Sequence, residues 1–370
     1  MAESCTANNT VYLTHEEALG VTHSKGDTIF ITIGIPLVSL FGIFNNLAFL
    51  YVIYRVSSMR NVTNFYLGNL AVADACILII FSVRHLWMYA AISPINAGLP
   101  WKNPAACMLP YYFTYMTTYC SVFLVTLVSI ERYFAICHPL RHRMFNGKRR
   151  AITLVFVTWL LSFLLAGFAN SPTSTRQRCF VLPKDFAAGD GPIVVYWCMK
   201  YCTFCSKTIF IFDTAQFYIA LFVSTVMYTL IVLKVSRRDI GESNVSNDVR
   251  NAVLRMVITN TVIFFLCLLP YKIINVQTLI SRFGGNTFLS WDVYTLLQWI
   301  GRVTWLVNSA VNPLIYSLTN ARYRRAFFEA FNLRKVKTVT INQTMQSQIH
   351  SVSQACASDA YKMNEIGNKA

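Results

Sequence analysis

Seven stretches of the chain are continuous apolar runs, without the alternation of a half-buried strand or the single face of a soluble helix. They cover residues 29–54, 65–91, 103–130, 151–175, 208–233, 256–281 and 291–317. Each is long enough to cross about 30 Å of hydrocarbon as a helix, which takes about 20 residues. The first, third and fourth contain no Asp, Glu, Lys or Arg. The second carries only Asp74 and Arg84, the fifth Asp213, the sixth Lys272, and the seventh Asp292 and Arg302. A segment in lipid must satisfy its own backbone, so these runs predict helices. A shorter segment, 321–331, sets Tyr323, Phe327, Phe328 and Phe331 against Arg322, Arg324 and Arg325, which predicts an amphipathic helix on the membrane surface. The expected fold class is therefore an all-α membrane protein, a seven-transmembrane helix bundle with a short amphipathic eighth helix. Its parts are an extracellular N-terminal tail (1–28), the bundle (29–319), the surface helix (320–332) and a disordered cytoplasmic tail (333–370) rich in Ser, Thr, Gln and Asn.

Composition agrees. The chain is 55% hydrophobic and only 13% charged, with a mean hydropathy of +0.45. That excludes a string of soluble domains and bulk disorder. The net charge of +16 collects in the connections 55–64, 141–150, 234–255 and 320–370, whereas residues 1–28 are net acidic. Basic residues gather on the cytoplasmic side, so the N-terminus is expected outside and the C-terminus inside. The runs Arg141-His142-Arg143 and Lys148-Arg149-Arg150 then face anionic membrane lipids, and no nucleic-acid partner is expected. The opening Met1-Ala2-Glu3-Ser4-Cys5 lacks the features of a signal peptide, so the first helix is expected to direct its own insertion. Asn8-Asn9-Thr10 is a glycosylation acceptor pattern on the outer side, with Asn8 as acceptor; the patterns at Asn61, Asn244 and Asn342 fall inside. Of the cysteines, Cys76, Cys120, Cys137 and Cys267 sit in or at the ends of helices. Cys107 opens the third segment, and Cys179, Cys198, Cys202 and Cys205 crowd the long second outer loop. One of those four is expected to pair with Cys107; cysteine positions alone leave the connectivity open.

Polar groups at membrane depth are costly and usually functional. Here they form an ordered series, one per helix: Asn46, Leu70-Ala71-Val72-Ala73-Asp74, Glu131-Arg132-Tyr133, Trp159, Tyr228, Pro270 and Asn312-Pro313-Leu314-Ile315-Tyr316. On these residues the chain resembles the rhodopsin-like G-protein-coupled receptors over roughly residues 28–332. Two passages resemble the peptide receptors of the thyrotropin-releasing-hormone and neuromedin branch. One is Ser129-Ile130-Glu131-Arg132-Tyr133-Phe134-Ala135-Ile136-Cys137-His138-Pro139-Leu140. The other is Leu269-Pro270-Tyr271-Lys272 together with Arg302 and Asn308-Ser309-Ala310-Val311-Asn312-Pro313. The resemblance implies a plasma-membrane receptor, not an enzyme, for an extracellular (neuro)peptide. Its implied partners are a heterotrimeric G protein of the Gq type, arrestin and receptor kinases. The alternatives are a transporter or channel, or a receptor for a non-peptide anionic or lipid ligand. A transporter would show inverted repeats, and the two halves share no hydropathy pattern. The six histidines form neither a His-Glu-x-x-His nor a nucleophile-elbow pattern.

The resemblance also assigns residues. Asp74, Ser121, Asn308, Ser309 and Asn312 combine one carboxylate with neutral oxygens, the ligand type of a small hard cation. The implied occupant is an allosteric sodium ion favouring the inactive state, with no other cofactor; the alternative is a plain hydrogen-bonded polar core. Glu131, Arg132, Tyr133, Leu140, Tyr228 and Tyr316 are implied in G-protein activation, with Glu131 holding Arg132 at rest. Three departures, Leu268 for a tryptophan, Ala220 for a proline and Arg250 for an acid, lead us to expect raised basal activity, with Phe264 taking over the pivot role. For the ligand, Thr114 stands where amine receptors need aspartate and Leu306 where opsins need lysine. The seven candidates are Arg302, Lys272, Arg84, Tyr115, Thr114, Gln298 and Gln277, with Gln216 nearby and Asp213 alone opposing the cations. Arg302 and Tyr115 match peptide-binding positions of thyrotropin-releasing-hormone receptors. Three cations favour carboxylate, carbonyl or amide oxygens, and a short, C-terminally amidated peptide is the expected ligand. The expected disulfide joins Cys107 to Cys198, which lies 22 residues before Ala220, a spacing that suits the second strand of a loop hairpin. Cys179 is the rival; otherwise it pairs with Cys202 or Cys205.

Overall fold

The computed structural model describes residues 5–96, 98–140, 147–169, 173–186, 191–200, 203–236 and 244–332. A strand β1 (Thr10–Tyr12) and a short helix α1 (His15–Val21) precede the bundle. The first rod is α2 (Lys25–Ile29), a π-helical turn Phe30–Gly34 and α3 (Ile35–Arg55). Pro36 explains the π turn: it has no N–H to return to the preceding turn, and the ladder widens just before it. Then come α4 (Val62–Ile92), α5 (Pro104–Cys137), α6 (Lys148–Ala169), α7 (Thr203–Ser236), α8 (Asn244–Arg282) and α9 (Trp291–Thr319). Six of these rods are long and apolar enough to cross a membrane. The 29-residue α9 is more polar because it carries Arg302, Asn308, Ser309 and Asn312, the last three buried against its neighbours. Leu37, Leu40, Phe41, Phe44 and Leu47 on α3 are each more than half exposed, a face that only hydrocarbon suits.

The rods are pinned to one another by backbone-seeking polar side chains. Asn46 Nδ2 donates to the Ser309 carbonyl (2.8 Å) and Asn45 Nδ2 to the Ala310 carbonyl (2.9 Å), joining α3 to α9. Gly42 makes that approach close: a Cβ there would lie 2.6 Å from the Ala310 Cβ. Trp159 Nε1 donates to Asn69 Oδ1 (3.2 Å), joining α6 to α4, and Thr304 Oγ1 donates to the Cys267 carbonyl (2.6 Å), joining α9 to α8 near Pro270. The largest apolar cluster lies toward one end of the bundle, around Tyr66, Leu70, Val125, Met256, Phe264 and Tyr316. There α10 (Ala321–Ala330) packs by Tyr323, Ala326 and Ala330. Phe328, expected on the same face as Tyr323, is exposed, and Phe331 lies past the end of the helix.

The opposite end carries a sheet, and here the structure corrects the expected architecture. Residues 173–175, read as the end of the fourth span, start β2 (Thr173–Val181), which pairs antiparallel with β3 (Ile193–Lys200), Thr175 opposite Cys198. An uncharged run does not distinguish strand from helix, and the β-branched Thr173 and Thr175 suit the strand. Residues 5–28 are also built rather than a simple tail: β1 pairs parallel with β2, Thr10 opposite Cys179. Two capping boxes start their helices. Thr14 N donates to Glu17 Oε2 (2.9 Å) and Ser24 N to Asp27 Oδ2 (3.2 Å), with the reciprocal bonds present. The bonds from Thr14 hold the Glu17 carboxyl below its ordinary range. Cys107 is joined to Cys198 on β3, as expected. Cys179 pairs with Cys5, not with Cys202 or Cys205. Cys202, the side chain of Cys205, the basic run 141–146 and the tail from residue 333 lie outside the described residues.

Candidate functional site

At the sheet end the rods splay around a cavity of about 530 Å³. α4 contributes Arg84 and His85, α5 Tyr111, Thr114 and Tyr115, α8 Tyr271 and Lys272, and α9 Gln298 and Arg302. Six of the seven expected ligand residues therefore meet in one space. The seventh, Gln277, does not: its Oε1 accepts from Leu289 N (2.8 Å), so it braces the loop after α8. Gln216 lines a separate apolar groove with Phe123, Leu165 and Ile219.

The cations are not equivalent. Lys272 is buried, and its Nζ donates to Asp213 Oδ2 (2.8 Å) and to the Asp213 carbonyl (3.2 Å). Asn275 Nδ2 donates to the same carboxylate oxygen (2.6 Å). The lysine is thus an internal tie between α7 and α8, which removes it from the set of open cations. Arg302 is exposed, because this part of α9 faces the open cavity. Arg84 stacks over the Tyr111 ring at 4.9 Å. Among the described residues neither arginine meets a carboxylate. Thr114 turns its hydroxyl back to the Pro110 carbonyl (2.7 Å), and Gln298 Nε2 donates to Tyr294 Oη (3.1 Å).

The cavity has a contributor that sequence reasoning missed. His23 and Asp27, from the segment read as a tail, line it as well. His23 N donates to the Pro94 carbonyl (2.8 Å), Asn96 Nδ2 to the Thr22 carbonyl (2.9 Å), and Trp299 Nε1 to Asp27 Oδ1 (3.2 Å). Burial holds the His23 imidazole below its ordinary range; Asp27 opposes that shift and the Arg302 charge adds to it. The legible signals were the two Ser/Thr-x-x-Asp/Glu capping patterns and an unassigned Cys5.

Below the cavity, Leu268 and Phe264 are buried, and Phe217 meets Phe265 edge-on at 5.4 Å. α7 runs through Ala220 as unbroken helix. Deeper still, Asp74, Ser121, Asn308, Ser309 and Asn312 are all buried. Asn312 Nδ2 donates to Asp74 Oδ2 (2.6 Å). Among the described residues Asp74 Oδ1, Asn308 Oδ1 and Asn312 Oδ1 have no hydrogen-bond partner, and the Ser121 and Ser309 hydroxyls lie against the Asp74 carboxylate. Buried oxygens without donors are costly, and such a set fits a small hard cation.

At the far end, Tyr228 Oη lies 3.1 Å from both Ser129 Oγ and Thr261 Oγ1, linking α7, α5 and α8. Tyr316 is buried against Phe49 (5.2 Å) and Tyr323 (5.9 Å), its hydroxyl unpartnered. Arg132 keeps its Nε buried without a hydrogen-bond partner, and Glu131 is buried next to it in the chain. Tyr133 Oη is 3.2 Å from His138 Nε2, and Leu140 is 80% exposed. The side chain of Arg250 lies outside the described residues.

The family model described as "7 transmembrane receptor (rhodopsin family)" matches residues 45–316. Human growth hormone secretagogue receptor type 1 is 28% identical over 322 residues, covering 80% of this chain and 81% of that protein. The Caenorhabditis elegans neuromedin U receptor homolog nmur-2 is 28% identical over 313 residues, covering 78% and 75%. Human neuromedin-U receptor 2 is 25% identical over 317 residues, covering 80% and 71%.

Proposed function

This chain belongs to the rhodopsin family of seven-transmembrane receptors, and from that membership we propose that it couples an extracellular peptide to nucleotide exchange on a heterotrimeric G protein. The observation that carries the reading is the outer cavity. It is roomy, lined by aromatic rings and cationic side chains, and walled on one side by the N-terminal segment. Its buried acid, Asp213, is already bound to Lys272, so it offers no counter-ion for a small amine. The names of the relatives, receptors for a growth hormone secretagogue and for neuromedin U, support a peptide.

α5 links the three levels, with Tyr111 and Tyr115 at the cavity, Ser121 in the polar core and Arg132 at the opposite end. A ligand that shifts α5 against α8 would strain the Tyr228 bonds to Ser129 and Thr261 and release the end where Arg132 and exposed Leu140 meet the G protein. Asp74, Ser121, Asn308, Ser309 and Asn312 would hold a sodium ion, which would supply the positive charge that the buried carboxylate lacks. In this reading the N-terminus is outside and the C-terminus cytoplasmic, exposed Asn8 is glycosylated, Gq is the preferred G protein, and receptor kinases and arrestin act on the tail. A peptide-library screen in cells with calcium and cAMP readouts tests it. The expected result is a peptide-dependent calcium signal; peptides that leave both readouts silent at normal surface expression refute the reading.

A further inference from the structure

We infer that the cavity contains a carboxylate-binding subsite centred on Arg84, with His85 as its positioning residue; this rests on the cavity being the ligand site and names the chemistry the ligand presents. With Lys272 bound to Asp213, the open guanidinium groups are Arg302 and Arg84. Arg84 is the built one. Its Nε is sealed from solvent without a hydrogen-bond partner, and its guanidinium lies 4.9 Å from the Tyr111 centroid and 5.9 Å from that of Phe81. Aromatic faces satisfy the flat sides of a guanidinium and leave its N–H edge for a planar acceptor.

His85 fixes that arrangement. Its ring stacks on Phe81 at 3.9 Å, its Nδ1 lies 2.8 Å from the Phe81 carbonyl, and its Nε2 lies 3.4 Å from an Arg84 terminal nitrogen. A carbonyl only accepts and a guanidinium only donates, so the imidazole carries its proton on Nδ1 and offers the Nε2 lone pair to Arg84. A partly buried cation without a counter-ion is unfavourable, and a carboxylate entering the cavity removes that penalty through paired N–H···O bonds. A neutral terminal amide has no charge with which to do so. The carboxylate can be a peptide C-terminus or an Asp or Glu side chain.

The test uses the full-length receptor in lipid nanodiscs and four pools of short mixed-sequence peptides. The C-termini are free or amidated, and each form is made with and without Asp and Glu; retained peptides are read by mass spectrometry. Carboxylate-bearing peptides should be retained about tenfold or more over the amidated pool lacking Asp and Glu, the scale of one charge-assisted bond. Which carboxylate pool is enriched identifies the source. Arg84→Gln should erase the preference. His85→Phe should lower the acid-to-neutral ratio, whereas a merely structural role would lower retention of both alike and leave the ratio unchanged. Equal retention across pools, no retention of carboxylate peptides, or a preference that survives Arg84→Gln overturns the subsite. If Arg84→Gln does not fold, an unchanged ratio in both Arg84→Lys and His85→Phe overturns it. Acidic peptides that bind but never drive nucleotide exchange would instead sink the receptor reading and leave the subsite standing.

Discussion

The buried pair Asp213–Lys272 offers the sharpest test of how the outer bundle is held together. At 2.8 Å two unit charges attract by about 6 kcal/mol at an effective dielectric of about 20, and desolvating both ions cancels much of that gain. Removing one partner is different, because it leaves the other charge buried. Lys272→Met strands the Asp213 carboxylate with only the Asn275 amide, and Asp213→Asn strands the ammonium with a backbone carbonyl. Each single change should cost about 3–5 kcal/mol. At roughly 2 °C per kcal/mol for a chain larger than a small domain, the melting midpoint should fall by about 6–10 °C. The double variant, Asp213→Asn with Lys272→Met, buries no charge and should recover most of the loss. The assay is a four-member cycle of thermal midpoints on purified receptor, normalised to monodisperse protein. A coupling of at least about 2 kcal/mol is expected for groups in direct contact. If the double variant instead loses the sum of the singles, the pair is not an internal tie and Lys272 returns to the list of ligand cations.

Other outcomes follow from the polar core and the N-terminal segment. If Asp74 and its orphaned neighbours hold sodium, raising sodium against a potassium control should lower basal nucleotide exchange in the native chain but not in Asp74→Asn; equal sodium responses would leave the plain polar core standing. Cys5→Ser removes a link spanning 174 residues, a closure of the class worth about 4–5 kcal/mol to the tethered segment. Protease cutting between β1 and α2 should accelerate, and unchanged cutting would mean that strand pairing alone holds the segment. Because the folded chain holds His23 below its ordinary value, the stability it contributes is complete above the unfolded value of about 6.5 and is lost as pH falls through the folded value. The midpoint should therefore drop on acidification below about pH 6.5, less so in His23→Gln; parallel pH profiles would refute this.

The bundle was legible because lipid leaves few alternatives to a helix for a run of twenty apolar residues. Even α9, the least apolar, was recognisable from Asn312-Pro313 and Tyr316. What escaped depended on pairings between distant segments. Thr173–Thr175 could not declare itself as strand without β3 beside it. The partner of Cys179 could not be chosen among several cysteines, and Cys5 was passed over because a polar first segment suggests a tail. Helical position sufficed to bring most of the candidate ligand residues to one cavity. Their electrostatics were not legible, because the attachment of Lys272 to Asp213 depends on the rotation of α7 against α8, which periodicity does not encode.

If events in the outer cavity are read out at Arg132 through α5 and α8, loss of Arg132 should separate peptide binding from nucleotide exchange. The most direct test is peptide-driven nucleotide exchange on a purified heterotrimeric G protein, with native receptor, Arg302→Gln and Arg132→Ala compared in nanodiscs at equal receptor density. A peptide agonist from the screen should accelerate exchange with native receptor. Arg302→Gln should need about ten- to a hundredfold more peptide, the scale of one lost charge-assisted bond. Arg132→Ala should bind the peptide as tightly as the native chain and yet drive no exchange. Exchange by Arg132→Ala at the native rate, or a potency shift below about threefold in Arg302→Gln, would contradict it.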